Sequence, residues 1–154
     1  MSIQNVNIGV RAIILDNHRV LMVKHLEGDK EFYVFPGGGL ENNESIAEAA
    51  KREVSKETQI NVKGKKIIYF REFVGESKYG AEFYVLCEAL DHTDIKLGVD
   101  PEKSDNEKVL IAVEWVNIDK LSEITWYPEE LKQRFKSDVL TGFKEFDHLG
   151  VIKI

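Results

Sequence analysis

Cysteine is nearly absent: Cys87 is the only one in the chain. No internal disulfide can form, and its place in an apolar, strand-like run marks it as a small buried hydrophobe. Basic residues are also scarce relative to acids, 21 against 27, giving a net charge of −6. That balance argues against broad nucleic-acid binding, which needs a basic footprint to displace counterions, while leaving room for a nucleotide held through metal ions. No apolar run approaches the ~18 residues of a membrane span, and the first residues lack the charged and apolar blocks of a signal peptide, so a cytoplasmic location is expected. Repeats, low-complexity tracts and Ser/Gly-rich linkers are missing too. With 154 residues and 43% hydrophobic content, residues 1–154 are expected to form one domain around one sizeable core.

What is present centres on Gly37 to Ile60, GGGLENNESIAEAAKREVSKETQI. Ile46, Ala47, Ala50 and Val54 fall in one stripe at ~100° per residue, with Glu44 and Ser45 as cap chemistry, which predicts a helix. Glu53 and Glu57 lie one turn apart on the border of that stripe. Two like charges at this spacing repel by a few tenths of a kcal/mol on an isolated helix. A hard divalent cation such as Mg²⁺ reverses the sign, since it takes carboxylate and carbonyl oxygens and keeps positions open for phosphates. Glycines at 37 to 39 let the backbone approach such a cluster. On spacing alone a solvated acidic face beside a flexible turn is the competing reading.

The segment resembles the box of the Nudix (MutT-like) hydrolases, carried by Gly38, Glu44, Arg52, Glu53, Val54, Glu57 and Ile60 at the right separations and preceded by Phe35-Pro36-Gly37. Two positions depart: Lys56 stands where the family has a metal-ligating Glu, and Gln59 where it has Gly. The resemblance, over residues 38–60, implies an α/β fold, a Nudix-like α/β/α sandwich with a mixed central sheet. It implies metal-dependent cleavage (Mg²⁺ or Mn²⁺) of the pyrophosphate in a nucleoside diphosphate linked to another moiety. Glu53, Glu57 and the Gly37 carbonyl would hold the metal, Arg52 would orient the carboxylates, and Glu44 would be a metal neighbour or a structural anchor. The general base would be Glu53 or a carboxylate from a later loop, with Glu107 and then Glu102 as candidates. Lys56 opens an alternative: it binds substrate phosphate, or it leaves a nucleotide-binding module that no longer cleaves.

Elsewhere, Val6 to Leu15 alternates with a period of two and reads as a strand with one face in the core. Asp16-Asn17-His18 is turn chemistry, and Val20 to Val23 returns as an antiparallel strand. Arg11, Lys24 and His25 could face a phosphate at the sheet end or flank the strands in solvent. After a polar loop over 26–30, Phe32 to Phe35 gives a brief strand, and Phe35 either stacks on a base or packs in the core. Further strands are predicted over 66–74, 82–90 and 109–116. A second helix is predicted with Pro128 in its first turn and Leu131 and Phe135 one turn apart. The apolar residues of the tail, 137–154, either cover the core or pair with a second subunit in a homodimer.

Overall fold

The computed structural model describes residues 2–91, 95 and 109–154. Among these residues eight strands form one mixed sheet: β1 (Asn5–Asp16), β2 (Arg19–Glu27), β3 (Lys30–Val34), β4 (Gly37–Gly39), β5 (Val62–Val74), β6 (Lys78–Ala89), β7 (Val109–Asn117) and β8 (Asp147–Lys153). Its main path runs β3-β2-β1-β6-β5-β8, with β4 added to β1 and β7 to β2. The β1/β6 and β5/β8 pairs are parallel and the other pairs antiparallel.

Helix α1 (Ile46–Thr58) lies on one face, and the short helix α2 (Phe135–Thr141) with two 3-10 turns lies on the other. Both faces are therefore roofed, which yields two cores. Val10, Ala12, Ile14 and Val62 of the sheet cluster with Ala50 and Val54 of α1. Ile13, Met22, Tyr69, Tyr84, Trp126 and Phe135 fill the aromatic core opposite. This is the α/β/α arrangement expected.

Several local expectations change. Over Val10 to Ile14, β1 is buried on both faces, because Val10, Ala12 and Ile14 face the core under α1 while Ile13 faces the aromatic core opposite. Residues 26–30 are no long loop, since β2 continues to Glu27 and β3 begins at Lys30, paired with it. The glycine run is a three-residue strand against β1, with Gly39 opposite Gly9 and Gly37 opposite Arg11. The helix expected from Pro128 is split into a 3-10 turn, Glu129–Leu131, and α2. Arg134, at φ −126, breaks the helical path between them and uses its side chain to tie Asp138 to Asp147. Leu131 and Phe135 are buried as expected. In the tail, β8 pairs with β5 and Leu149 packs against the aromatic cluster, while Leu140, Phe146, Val151 and Ile154 are exposed. Among the described residues, no helix is long and apolar enough to cross a membrane.

Candidate active site

Helix α1 begins where Ser45 Oγ accepts the Glu48 N–H at 3.1 Å, and it ends at Gln59, which adopts the left-handed conformation (φ 61). Its buried side carries Ala49, Ala50 and Val54, and also Glu53 and Glu57, only 2% and 3% exposed. Carboxylates this deep need partners. The Gly37–Gly39 strand supplies one for Glu57. Pro36 and Leu40 exchange ladder hydrogen bonds with Ala12 and Ile8, so Gly37, between them in register, turns its N–H and C=O away from β1. That N–H donates to Glu57 Oε1 at 2.7 Å. Gly38 has to lack a side chain, because a Cβ there would lie 2.6 to 2.8 Å from the carboxyl atoms of Glu53.

Arg52 organises the rest. It grips Glu44 with two hydrogen bonds of 2.9 Å, donates to Glu53 Oε1 at 2.6 Å and to the Gly39 carbonyl at 2.9 Å. The guanidinium holds Glu44 below the usual carboxylate range, and Glu44 in turn accepts the Glu41 N–H. Glu44 thereby ties the Glu41 backbone, in the loop before α1, to Arg52. Lys56 Nζ lies 3.5 Å from Glu53 Oε2.

Two carboxylates and an adjacent carbonyl make an all-oxygen donor set suited to one hard divalent cation. Among the described residues, no third acid joins them to form a metal cluster. Glu102 and Glu107 lie outside the described residues.

Beside this strip a cavity of about 580 Å³ opens on the aromatic side of the sheet, lined in part by Arg11, Phe32, Arg71, Glu82, Tyr84 and Tyr127. Arg11 links it to the carboxylates. Its aliphatic stem touches Gly37, its Nη1 donates to the Phe35 carbonyl at 3.0 Å, and its Nε faces Glu82 at 3.4 Å. Burial works against its charge, but Glu82 and then Glu57 outweigh that and raise its pKa. Glu82 shows the mirror image: burial pushes it up, yet Arg11 and Arg71 hold it below the usual range.

The structure brings Gly37, Glu44, Arg52, Glu53, Lys56 and Glu57 together, and seats Arg11 at the cavity. Of the two fates open to Phe35, core packing is the one seen, against its place as a substrate-binding candidate: it borders the cavity but is 1% exposed, with its ring against Tyr84, Trp126 and Phe135, which leaves little surface for a base. Lys24, which pairs with Glu31, and buried His25 do not line the cavity. Sequence reasoning missed Phe32, Arg71, Glu82, Tyr84 and Tyr127. The available signal was a pair of opposite charges beside apolar runs, Arg71 just after Ile67-Ile68-Tyr69-Phe70 and Glu82 just before Phe83-Tyr84-Val85-Leu86.

The chain is 28% identical to Nudix hydrolase 6 of Arabidopsis thaliana over 96% of its own length. It spans about half (52%) of that curated relative. A NUDIX hydrolase structure from Nitrosomonas europaea matches 98% of this chain and 81% of its own at TM-score 0.72 and 19% identity. An ADP-ribose pyrophosphatase from Streptococcus suis matches 95% and 98% at TM-score 0.63 and 15% identity. At these identities the structural matches speak for the fold. Residues 6–136 match the family model of the NUDIX domain, and with the box laid along α1 and the Gly37–Gly39 strand, the chain belongs to the Nudix hydrolase family.

Proposed function

We propose that this chain hydrolyses the pyrophosphate of a nucleoside diphosphate linked to another moiety, using Mg²⁺ or Mn²⁺ at Glu53, Glu57 and the Gly37 carbonyl. The observation that carries the reading is the convergence of two buried carboxylates on one exposed backbone edge, next to a cavity that Arg11 shares with them. The family is generally dependent on divalent metal, and a structural neighbour is named as an ADP-ribose pyrophosphatase.

A divalent cation held there supplies charge neutralisation for the phosphates and a lowered pKa for a bound water. The chain's own residues do the rest. Arg52 fixes the Glu53 carboxylate from one side and the Gly39 carbonyl from the other, so the ligand strip is set before substrate arrives. Arg11 meets the phosphates at the cavity end. Phe32 and Tyr127, edge to face at 5.7 Å on the cavity wall, offer the ring surface for a base in place of Phe35. Glu53 takes the proton of the attacking water, unless Glu107 or Glu102, outside the described residues, does so.

A second reading is favoured by one observation: the Lys56 ammonium 3.5 Å from Glu53 occupies charge space that a metal would use. On it, the chain binds nucleotides without cleaving them. Turnover with Mg²⁺ or Mn²⁺ across nucleoside triphosphates, ADP-ribose and dinucleoside polyphosphates separates the two. Phosphorylated products from at least one substrate are expected, and nucleotide binding with no product from any of them would favour the binding module.

A further inference from the structure

We propose that Glu82 is a positioning residue for substrate phosphate: its carboxylate sets the Arg11 guanidinium between the cavity and the Glu53/Glu57 strip, with Arg71 as the counterweight. The inference rests on the pyrophosphate reading above. In register, Glu82 of β6 stands between Gly9 of β1 and Arg71 of β5, on the sheet face that also carries Arg11. Gly9 presents no side chain there, so the carboxylate can reach sideways to Arg11. Its two oxygens divide the work. Oε2 faces Arg11 Nε at 3.4 Å, while Oε1 accepts from Arg71 Nε at 3.0 Å and from the Tyr84 hydroxyl at 2.5 Å.

Arg71 is held from a second side by Glu130 at 3.3 Å and lies 4.9 Å over the Phe73 ring, so it is itself immobilised. Arg11, by contrast, is fixed at only two points, Nε by Glu82 and Nη1 by the Phe35 carbonyl. Among the described residues its remaining Nη1 and Nη2 donors have no protein partner. A guanidinium held along one edge with donors left over is a ready fork for phosphate oxygens. A carboxylate that did nothing but neutralise would not need three donors arranged on two sides of it. Arg11 also runs close to the strip: a Cβ at Gly37 would lie 2.8 Å from its Cδ, so the glycine leaves the room that its side chain occupies.

A mutant cycle of Glu82→Gln, Arg11→Ala and the double variant tests this. Two readouts are used: steady-state kinetics on the best diphosphate substrate, and the Kd of ADP by calorimetry, which does not depend on turnover. Glu82→Gln is expected to raise KM and the ADP Kd about tenfold with kcat within about twofold, and to have no further effect once Arg11 is Ala. Should Glu82→Gln not fold, Glu82→Asp keeps the charge but withdraws it by one methylene, and at least about a threefold rise is expected. An unchanged ADP Kd, no ADP binding at all by the wild type, or effects of Glu82 and Arg11 that simply add would overturn the proposal. Absent turnover with the ADP cycle intact would overturn hydrolysis and leave the positioning role standing.

Discussion

Replacing Lys56 by Glu should convert a two-acid strip into a three-acid one. The ammonium lies 3.5 Å from Glu53 Oε2, with the side chain 21% exposed. A unit pair at about 4 Å is worth about 4 kcal/mol at an effective dielectric of 20, and the swap changes the local charge by two units. Partial exposure and side-chain rotation reduce this several-fold, leaving about 1.5 to 3 kcal/mol in favour of a bound cation, or about ten- to hundredfold in affinity. The apo protein should pay the opposite way, because Glu53 loses a cation and gains a like charge. Calorimetric titration with Mg²⁺ and with Mn²⁺ reads the first effect, and thermal midpoints with chelator and with metal read the second. Lys56→Glu is expected to bind metal more tightly, melt earlier in chelator and recover when metal is added. Equal affinity in the two proteins, with equal midpoints in chelator, would refute the placement of Lys56 against the metal strip.

Gly38→Ala would put a Cβ 2.6 Å from the Glu53 carboxyl carbon; a loss of about 1 to 3 kcal/mol in stability and weaker metal binding are expected from denaturant melts and titration. Gln59→Gly relieves a left-handed cap at φ 61 and should add about 1 kcal/mol, or about 3 °C in thermal midpoint, without altering metal affinity. The Glu44 pKa is lowered mainly by its hydrogen bonds to Arg52. Its stabilisation is therefore complete above the unfolded carboxylate pKa and disappears as pH falls through the lower folded value. Melting midpoints followed from neutral to acid pH should show Glu44→Gln flattening that acid limb, and parallel curves for both proteins would contradict the assignment.

The legible part of the site was the part written in one continuous segment. Glu53 and Glu57 share a helix side with Ala50 and Val54, so periodicity alone places them together, and the glycines before them mark a close backbone approach that Gly38 now makes against Glu53. Arg11 could be singled out as a phosphate candidate, but the partners it meets across strands were hidden from the sequence. Arg11, Arg71 and Glu82 are 11 to 71 residues apart in pairing distance along the chain and meet only through sheet register. Phe35 stayed open for a related reason: an aromatic beside the box can turn to the cavity or the core, and Tyr84, Trp126 and Phe135, remote in sequence, decide for the core. The second helix was misplaced because Leu131 and Phe135 have helical spacing, while the break at Arg134 is set by Asp138 and Asp147. Strands β1 and β2 were found, but their double-sided burial depends on α1 and α2 roofing opposite faces.

The most direct measurement is product formation from a nucleoside diphosphate conjugate by the wild type and by Glu57→Gln, each titrated with Mg²⁺. The wild type should release phosphorylated products with saturating metal dependence, and Glu57→Gln, folded to the same thermal midpoint within a few degrees, should lose about a hundredfold or more in kcat/KM. Equal activity in the two proteins, or turnover by the wild type that ignores added metal and chelator alike, would contradict the role given to the Glu53/Glu57 strip.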